Sequence, residues 1–138
     1  MGVIASFIVG PQQPSWTCYV DGKSLPPVNT TNFVNINYIE ICSSNDIVRP
    51  PGATSSNLTV VASGNTTSDP LAPFLFDYIQ YEPDATVILD NLTLAVDAFD
   101  GDITYSSGWT QLTTTGVGFE TSVQGSSLNF DFVGAFRL

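Results

Sequence analysis

An all-β antiparallel sandwich is the fold class this sequence predicts, and three observations predict it. Short runs rich in Val, Ile, Thr, Phe and Tyr recur between clusters of Gly, Pro, Ser and Asn, which is the punctuation of strands and turns. Helical periodicity competes in one stretch only, residues 86 to 99. At 138 residues the chain suits one domain, long enough to bury about two thirds of the surface that its unfolded form exposes.

The first strand candidate is GVIASFIV, residues 2 to 9. The same start fits the myristoylation pattern MGxxx[ST] through Gly2 and Ser6, but a strand explains the same residues. With eight or nine apolar residues and no basic residue ahead of them, it makes a poor signal peptide. No run is long enough to span a membrane as a helix. SWTCYV (15 to 20), YIEIC (38 to 42) and NLTVVA (57 to 62) follow as strands, each bounded by polar loops at 10 to 14, 23 to 32, 43 to 56 and 63 to 73.

FLFDYIQYEPD, residues 74 to 84, is the most aromatic run and has Asp77 in its middle. Read as one strand, it puts Phe74, Phe76 and Tyr78 on one face and Leu75, Asp77 and Ile79 on the other. Asp77 is then half-buried and needs donors from backbone N–H, Tyr or Trp, or a metal, because an unpaired buried carboxylate costs several kcal/mol or stays protonated. A structural hydrogen-bonding role is the main reading. In residues 86 to 99, Ile88, Leu92, Val96 and Phe99 fall at helical spacing, while Leu92, Leu94 and Val96 alternate. The β-branched content favours strand there. VGFETSV (117 to 123) and SLNFDFV (127 to 133) close the series, after a loop at 106 to 116.

Charge narrows the function. Only 12% of residues are charged, 13 acidic against 3 basic, for a net charge of −10. Nucleic acid phosphate and anionic lipid surfaces are bound mainly through Lys and Arg clusters, so neither is an expected partner. Histidine is absent, which removes Ser-His-Asp and Cys-His nucleophile systems and His-containing zinc sites. Carboxylate pairs survive as catalytic candidates, Asp77 with Glu82 among them. A retaining glycosidase needs its two carboxyl groups about 5 to 5.5 Å apart and an inverting one about 6.5 to 9.5 Å.

Cys18 and Cys42 lie in or beside strand candidates that could be neighbours. Paired, they would close a loop of about 25 residues and contribute roughly 3 kcal/mol in the chain-entropy model; the alternative is two buried thiols in a cytosolic protein. Four sequons, at Asn29, Asn57, Asn65 and Asn91, favour an oxidising, secretory route and hence the disulfide. Asp97, Asp100 and Asp102 surround Gly101, where oxygen ligands on a turn would suit calcium. A solvated acidic turn is the commoner meaning of such a cluster. Trp16, Tyr19, Tyr105 and Trp109 offer rings that could stack on a pyranose, or could serve as core. Trp109 is the strongest of them, because SSGWTQ reads as loop, with Tyr105 and Asp77 as further ligand candidates.

Together, WTCYVDG (16 to 22), IC (41 to 42), PG (51 to 52), LTVV (58 to 61), FLFDYIQYEPD (74 to 84), VDAFDGDITYSSGW (96 to 109) and SLNFDFVG (127 to 134) carry a resemblance. The combination resembles the tandem jelly-roll ectodomains, galactose-binding-like in type, of secreted or membrane-anchored proteins in mushroom-forming fungi. The halves stand in swapped order: residues 16 to 82 match the second half of a unit and residues 95 to 135 the first, so the chain divides near residue 84. It is then either the end of one unit joined to the start of the next, or a circular permutant with SLNFDFVGAFRL and GVIASFIV as neighbours. The family's PG-x-H-x-L-x-V motif is replaced by PGATSSNLTVV, without its His. The resemblance implies an extracellular, non-catalytic jelly-roll module for glycan or cell-wall polysaccharide. A fragment of a carbohydrate-active enzyme is the alternative.

Overall fold

The computed structural model describes residues 2–5, 15–26, 39–43, 52–63, 73–81, 93–113 and 118–133. These residues form an antiparallel β-sandwich and contain no helix. In chain order the strands are β1 (Gly2–Ala5), β2 (Ser15–Val20), β3 (Lys23–Ser24), β4 (Ile39–Ser43), β5 (Ser56–Ser63) and β6 (Phe74–Phe76). They continue with β7 (Tyr78–Tyr81), β8 (Leu94–Asp97), β9 (Ile103–Tyr105), β10 (Thr110–Gln111), β11 (Phe119–Thr121) and β12 (Ser127–Phe132). Three sheets result, with strand orders β3-β2-β5-β12-β9, β4-β1-β7-β8 and β10-β11-β6. Each takes strands from both sides of residue 84.

The five-stranded sheet follows from strict alternation. Along β5, Ser56, Leu58, Val60 and Ala62 are buried while Asn57, Thr59, Val61 and Ser63 are half-buried. β12 repeats the pattern with Leu128, Phe130 and Phe132 inward, as period-two side chains on a one-sided sheet require. Facing residues Thr59 and Asn129 share a hydrogen bond of 2.7 Å on the outer face. β2 joins β3 through Asp21 and Gly22, with φ of 50° and 75°. Two successive positive φ values are the signature of the hairpin turn whose twist suits the flanking strands.

The aromatic run is not one strand. It pairs with β11 as far as Phe76, breaks at Asp77, and resumes as β7 between β1 and β8. The chain changes sheets at the carboxylate, so Phe74, Leu75 and Phe76 are all buried and simple alternation fails there. Gly118 makes the close approach to this break possible. Its φ is +107°, and a Cβ on it would strike the Phe76 carbonyl oxygen, so both backbone conformation and space call for glycine.

One core joins the sheets. Cys18, Val20, Leu58, Val60, Ile103, Leu128, Phe130 and Phe132 of the five-stranded sheet meet Ile41, Cys42 and Ile79 of the four-stranded one and Phe74 and Phe76 of the third. The Cys18–Cys42 disulfide crosses this core, with a Cα–Cα distance of 6.1 Å. It therefore ties β2 to β4 in different sheets, where the sequence suggested neighbouring strands.

Of the two readings the sequence left open, only the circular permutant set the terminal strands side by side. β12 lies between β5 and β9, and β1 between β4 and β7 in another sheet. Neither is left as an edge and they do not pair with each other, because each has its two sides taken by strands from elsewhere in the chain. No helix among the described residues is long and apolar enough to cross a membrane.

Candidate functional site: the Trp109 cleft

Two short turns, laced together, build the site. The turn after β9 carries Ser106, Ser107 and Gly108 to Trp109, and the turn after β11 carries Thr121 to Ser126. The Thr121 hydroxyl donates to the Gly108 carbonyl at 2.8 Å, and the Ser126 hydroxyl donates to the Ser107 carbonyl at 3.0 Å. The Ser127 N–H donates to Ser106 Oγ at 2.8 Å, while the Ser106 N–H donates to the Ser127 carbonyl at 2.9 Å. Within the second turn the Val123 N–H donates to Thr121 Oγ1 at 3.1 Å. So many short cross-links hold two loops as one fixed wall, which lowers the ordering cost of binding.

Trp109 stands in that wall half-buried. Its indole N–H donates to the Ser127 carbonyl at 3.0 Å, and its ring meets Phe74 edge-on at 6.0 Å and Tyr105 at 5.3 Å. It is less exposed than the loop-like SSGWTQ suggested, because the tight Gly108 turn folds the ring back onto the core. Part of it nevertheless lines an open cleft of about 500 Å³. Beside it there lie Thr110 and Glu120, paired directly across β10 and β11, with Ser122, Val123 and Pro73. Thr110, Ser122 and Val123 are exposed. The cleft thus offers an aromatic ring, a carboxylate, hydroxyls and small apolar patches.

Sequence reasoning found Trp109 and missed Glu120 and Ser122. The signal was there in part: in VGFETSV these two share one face by period two. Which face meets the tryptophan depends on β10, whose two residues lay inside a predicted loop.

The other sequence-chosen residues lie elsewhere. Tyr105 is behind the cleft, stacked on Phe119 at 4.4 Å, and its hydroxyl donates to the Ala98 carbonyl at 2.7 Å. Burial, with the Asp97 charge adding to it, raises its phenol above the ordinary range. Tyr81 is raised too, by burial first and then by Asp100 and Asp102. Trp16 packs on Phe74 at 5.9 Å and donates its indole N–H to the Ile41 carbonyl at 2.8 Å.

Asp77 sits half-buried at the sheet break, and its carboxylate receives no hydrogen bond among the described residues. None of the described donors reaches it, because the strand it was placed in ends there; what it contributes is a backbone carbonyl, accepting the Ala98 N–H at 2.8 Å. Burial and then the neighbouring Asp97 raise its pKa above the usual carboxylate value.

Asp97 and Asp100 serve as turn caps. Asp97 Oδ1 accepts the Phe99 N–H at 2.8 Å and Asp100 Oδ1 accepts the Asp102 N–H at 2.9 Å, the local turn role that aspartate favours. Among the described residues no group of three or more Cys, Asp or Glu side chains is gathered to hold a metal ion. Asn57 is on the outer face of β5, where its amide donates to Asp131 at 2.7 Å and its oxygen accepts from Thr59 at 2.9 Å. Asn29, Asn65, Asn91 and Glu82 lie outside the described residues.

Comparison of the chain with protein-family models, with curated proteins and with solved structures returned no match. The functional reading therefore rests on the residues themselves.

Proposed function

We propose that this protein is a non-catalytic extracellular module that binds glycan, such as cell-wall polysaccharide, in the cleft beside Trp109. One observation carries the reading: a preformed cleft places an indole ring next to a carboxylate and two exposed hydroxyl side chains. A pyranose presents an apolar face to such a ring while its hydroxyls bond to the polar rim. The disulfide suits an oxidising compartment, and the sequons and the resemblance to fungal ectodomain units agree with that setting. Among the described residues Glu120 is the cleft's single carboxylate, whereas glycoside hydrolysis by either geometry uses two. That difference supports binding over the carbohydrate-active enzyme reading.

A glycan array compared across wild type, Trp109→Ala and Trp16→Ala tests the proposal, with a thermal melt confirming that each variant is folded. Trp109→Ala should abolish binding and Trp16→Ala should retain it. Equal loss in two folded variants, or no bound glycan with the wild type, would overturn it.

A further inference from the structure

Resting on the glycan reading of the same cleft, we infer that it selects a sugar bearing a free protonated amine, a 2-amino-2-deoxy unit, with Glu120 as the partner of the ammonium group. Three features lead there. Among the described residues Glu120 is the only charged side chain lining the cleft, and it faces Thr110 directly across the β10–β11 pair. The whole chain carries 13 acidic and 3 basic residues. Among those 3, Lys23 lies on β3 of the five-stranded sheet and does not line the cleft. An anionic sugar such as a uronate would enter a negative field with no cation among the described lining residues to receive it, while an amine enters a favourable one.

Aromatic ring, carboxylate and hydroxyls also discriminate between kinds of cation. A lysine side chain could meet Trp109 and Glu120 but has no hydroxyls for Thr110 and Ser122. An amino sugar presents its amine beside a ring hydroxyl, so one unit can engage both sorts of group while its apolar face covers the indole. N-acetylation removes the charge and leaves the Glu120 carboxylate facing a neutral amide.

The test is isothermal titration of the intact protein with a glucosamine tetramer and with its fully N-acetylated counterpart, at mildly acidic pH and low salt. The amine form should bind about tenfold tighter, the effect of one charge-assisted hydrogen bond in a partly open site, and added salt should narrow the gap. Glu120→Gln should erase the preference. Asp131→Asn, which makes the same change in net charge at an exposed position outside the cleft, should keep it.

Equal loss in Asp131→Asn would reduce the effect to general attraction between a polycation and an acidic protein and overturn the inference. So would persistence of the preference in Glu120→Gln, or a lysine tetramer binding as tightly as the glucosamine tetramer. Tighter binding of the N-acetylated form, or of neutral glycans on the array, would overturn the amine selectivity while leaving the glycan reading intact. A blank array together with two silent tetramers would overturn both.

Discussion

Phe74 packs against two tryptophans that share a mode of bonding and differ in their surroundings. Trp16 meets it at 5.9 Å and Trp109 at 6.0 Å, and both donate their indole N–H to a backbone carbonyl. Trp16 reaches across to β4 beside the disulfide, so it joins two sheets. Trp109 bonds to Ser127 in the laced turns and turns part of its ring to a cleft. The contrast teaches that burial and hydrogen bonding do not by themselves separate structural from functional aromatics. What separates them is the company kept: the core and a tie to β4 for one, Glu120, Thr110 and Ser122 for the other.

The severest way to break the comparison is to remove what the two rings share. Phe74→Ala leaves a cavity between them in a core where Phe74 is about 1% exposed, and large-to-small changes of this kind cost about 3 to 5 kcal/mol. We expect urea unfolding to show that loss, with the near-ultraviolet dichroism of both tryptophans altered. A change confined to one indole band would mean that the two rings do not share the packing described.

Next in size is the disulfide, which belongs to the Trp16 side alone. The double substitution Cys18→Ala, Cys42→Ala should lower stability by roughly 3 kcal/mol, since the bond closes a loop of moderate length. Ligand binding at the cleft, measured where the variant is still folded, should stay unchanged. Affinity falling in proportion to stability would show the two regions to be coupled through Phe74.

How much of this was legible beforehand depends on where each strand's partners come from. β5 and β12 were readable residue by residue, because a strand with one buried face writes its register as alternation. The same logic failed at Asp77. FLFDYIQY has unbroken strand propensity, and only the competing pull of β11 on Phe74–Phe76 and of β1 and β8 on Tyr78–Tyr81 splits it. Cys18 and Cys42 could be named as partners, yet that they bridge opposite sheets depends on long-range order that neither local sequence contains. The cleft was half-legible: Trp109 announced itself by composition, but Glu120 needs the two-residue strand β10 to become its neighbour.

A finer probe replaces each indole by a ring without the N–H. Trp16 donates to Ile41, and the β1–β4 register passes over Ile41, pairing Val3 with Cys42 and Ile4 with Glu40. A bulge of this kind leaves a residue without its ladder partner, so the indole serves a carbonyl at a gap in the ladder. The Ser127 carbonyl, by contrast, also accepts the Ser106 N–H. Both changes lose comparable ring area, so Trp16→Phe should cost more than Trp109→Phe by about 1 kcal/mol, the net worth of one hydrogen bond. Chemical denaturation of the two variants side by side measures the difference, and a larger cost for Trp109→Phe would reverse the assignment of structural roles.

The smallest expected effect concerns Asp77, on the chain between Phe74 and the four-stranded sheet. Burial first, and the Asp97 charge second, raise its folded-state pKa above the ordinary carboxylate value of 3.8. A raised carboxylate binds its proton more tightly in the folded chain than in the unfolded one. Between the unfolded value and the raised folded value the native state therefore holds more protons, and stability falls as pH rises through that window. Above it the penalty is constant. Asp77→Asn removes the charge but keeps the shape, and Ala98 still donates to the backbone carbonyl of residue 77. The variant should be slightly more stable than wild type at neutral pH, and the gap should close as pH is lowered through the window toward the ordinary carboxylate range. Thermal melts across that range measure it. A variant less stable than wild type at neutral pH would mean that the carboxylate is held by a favourable partner after all, restoring the hydrogen-bonding role that its place in an aromatic run first suggested.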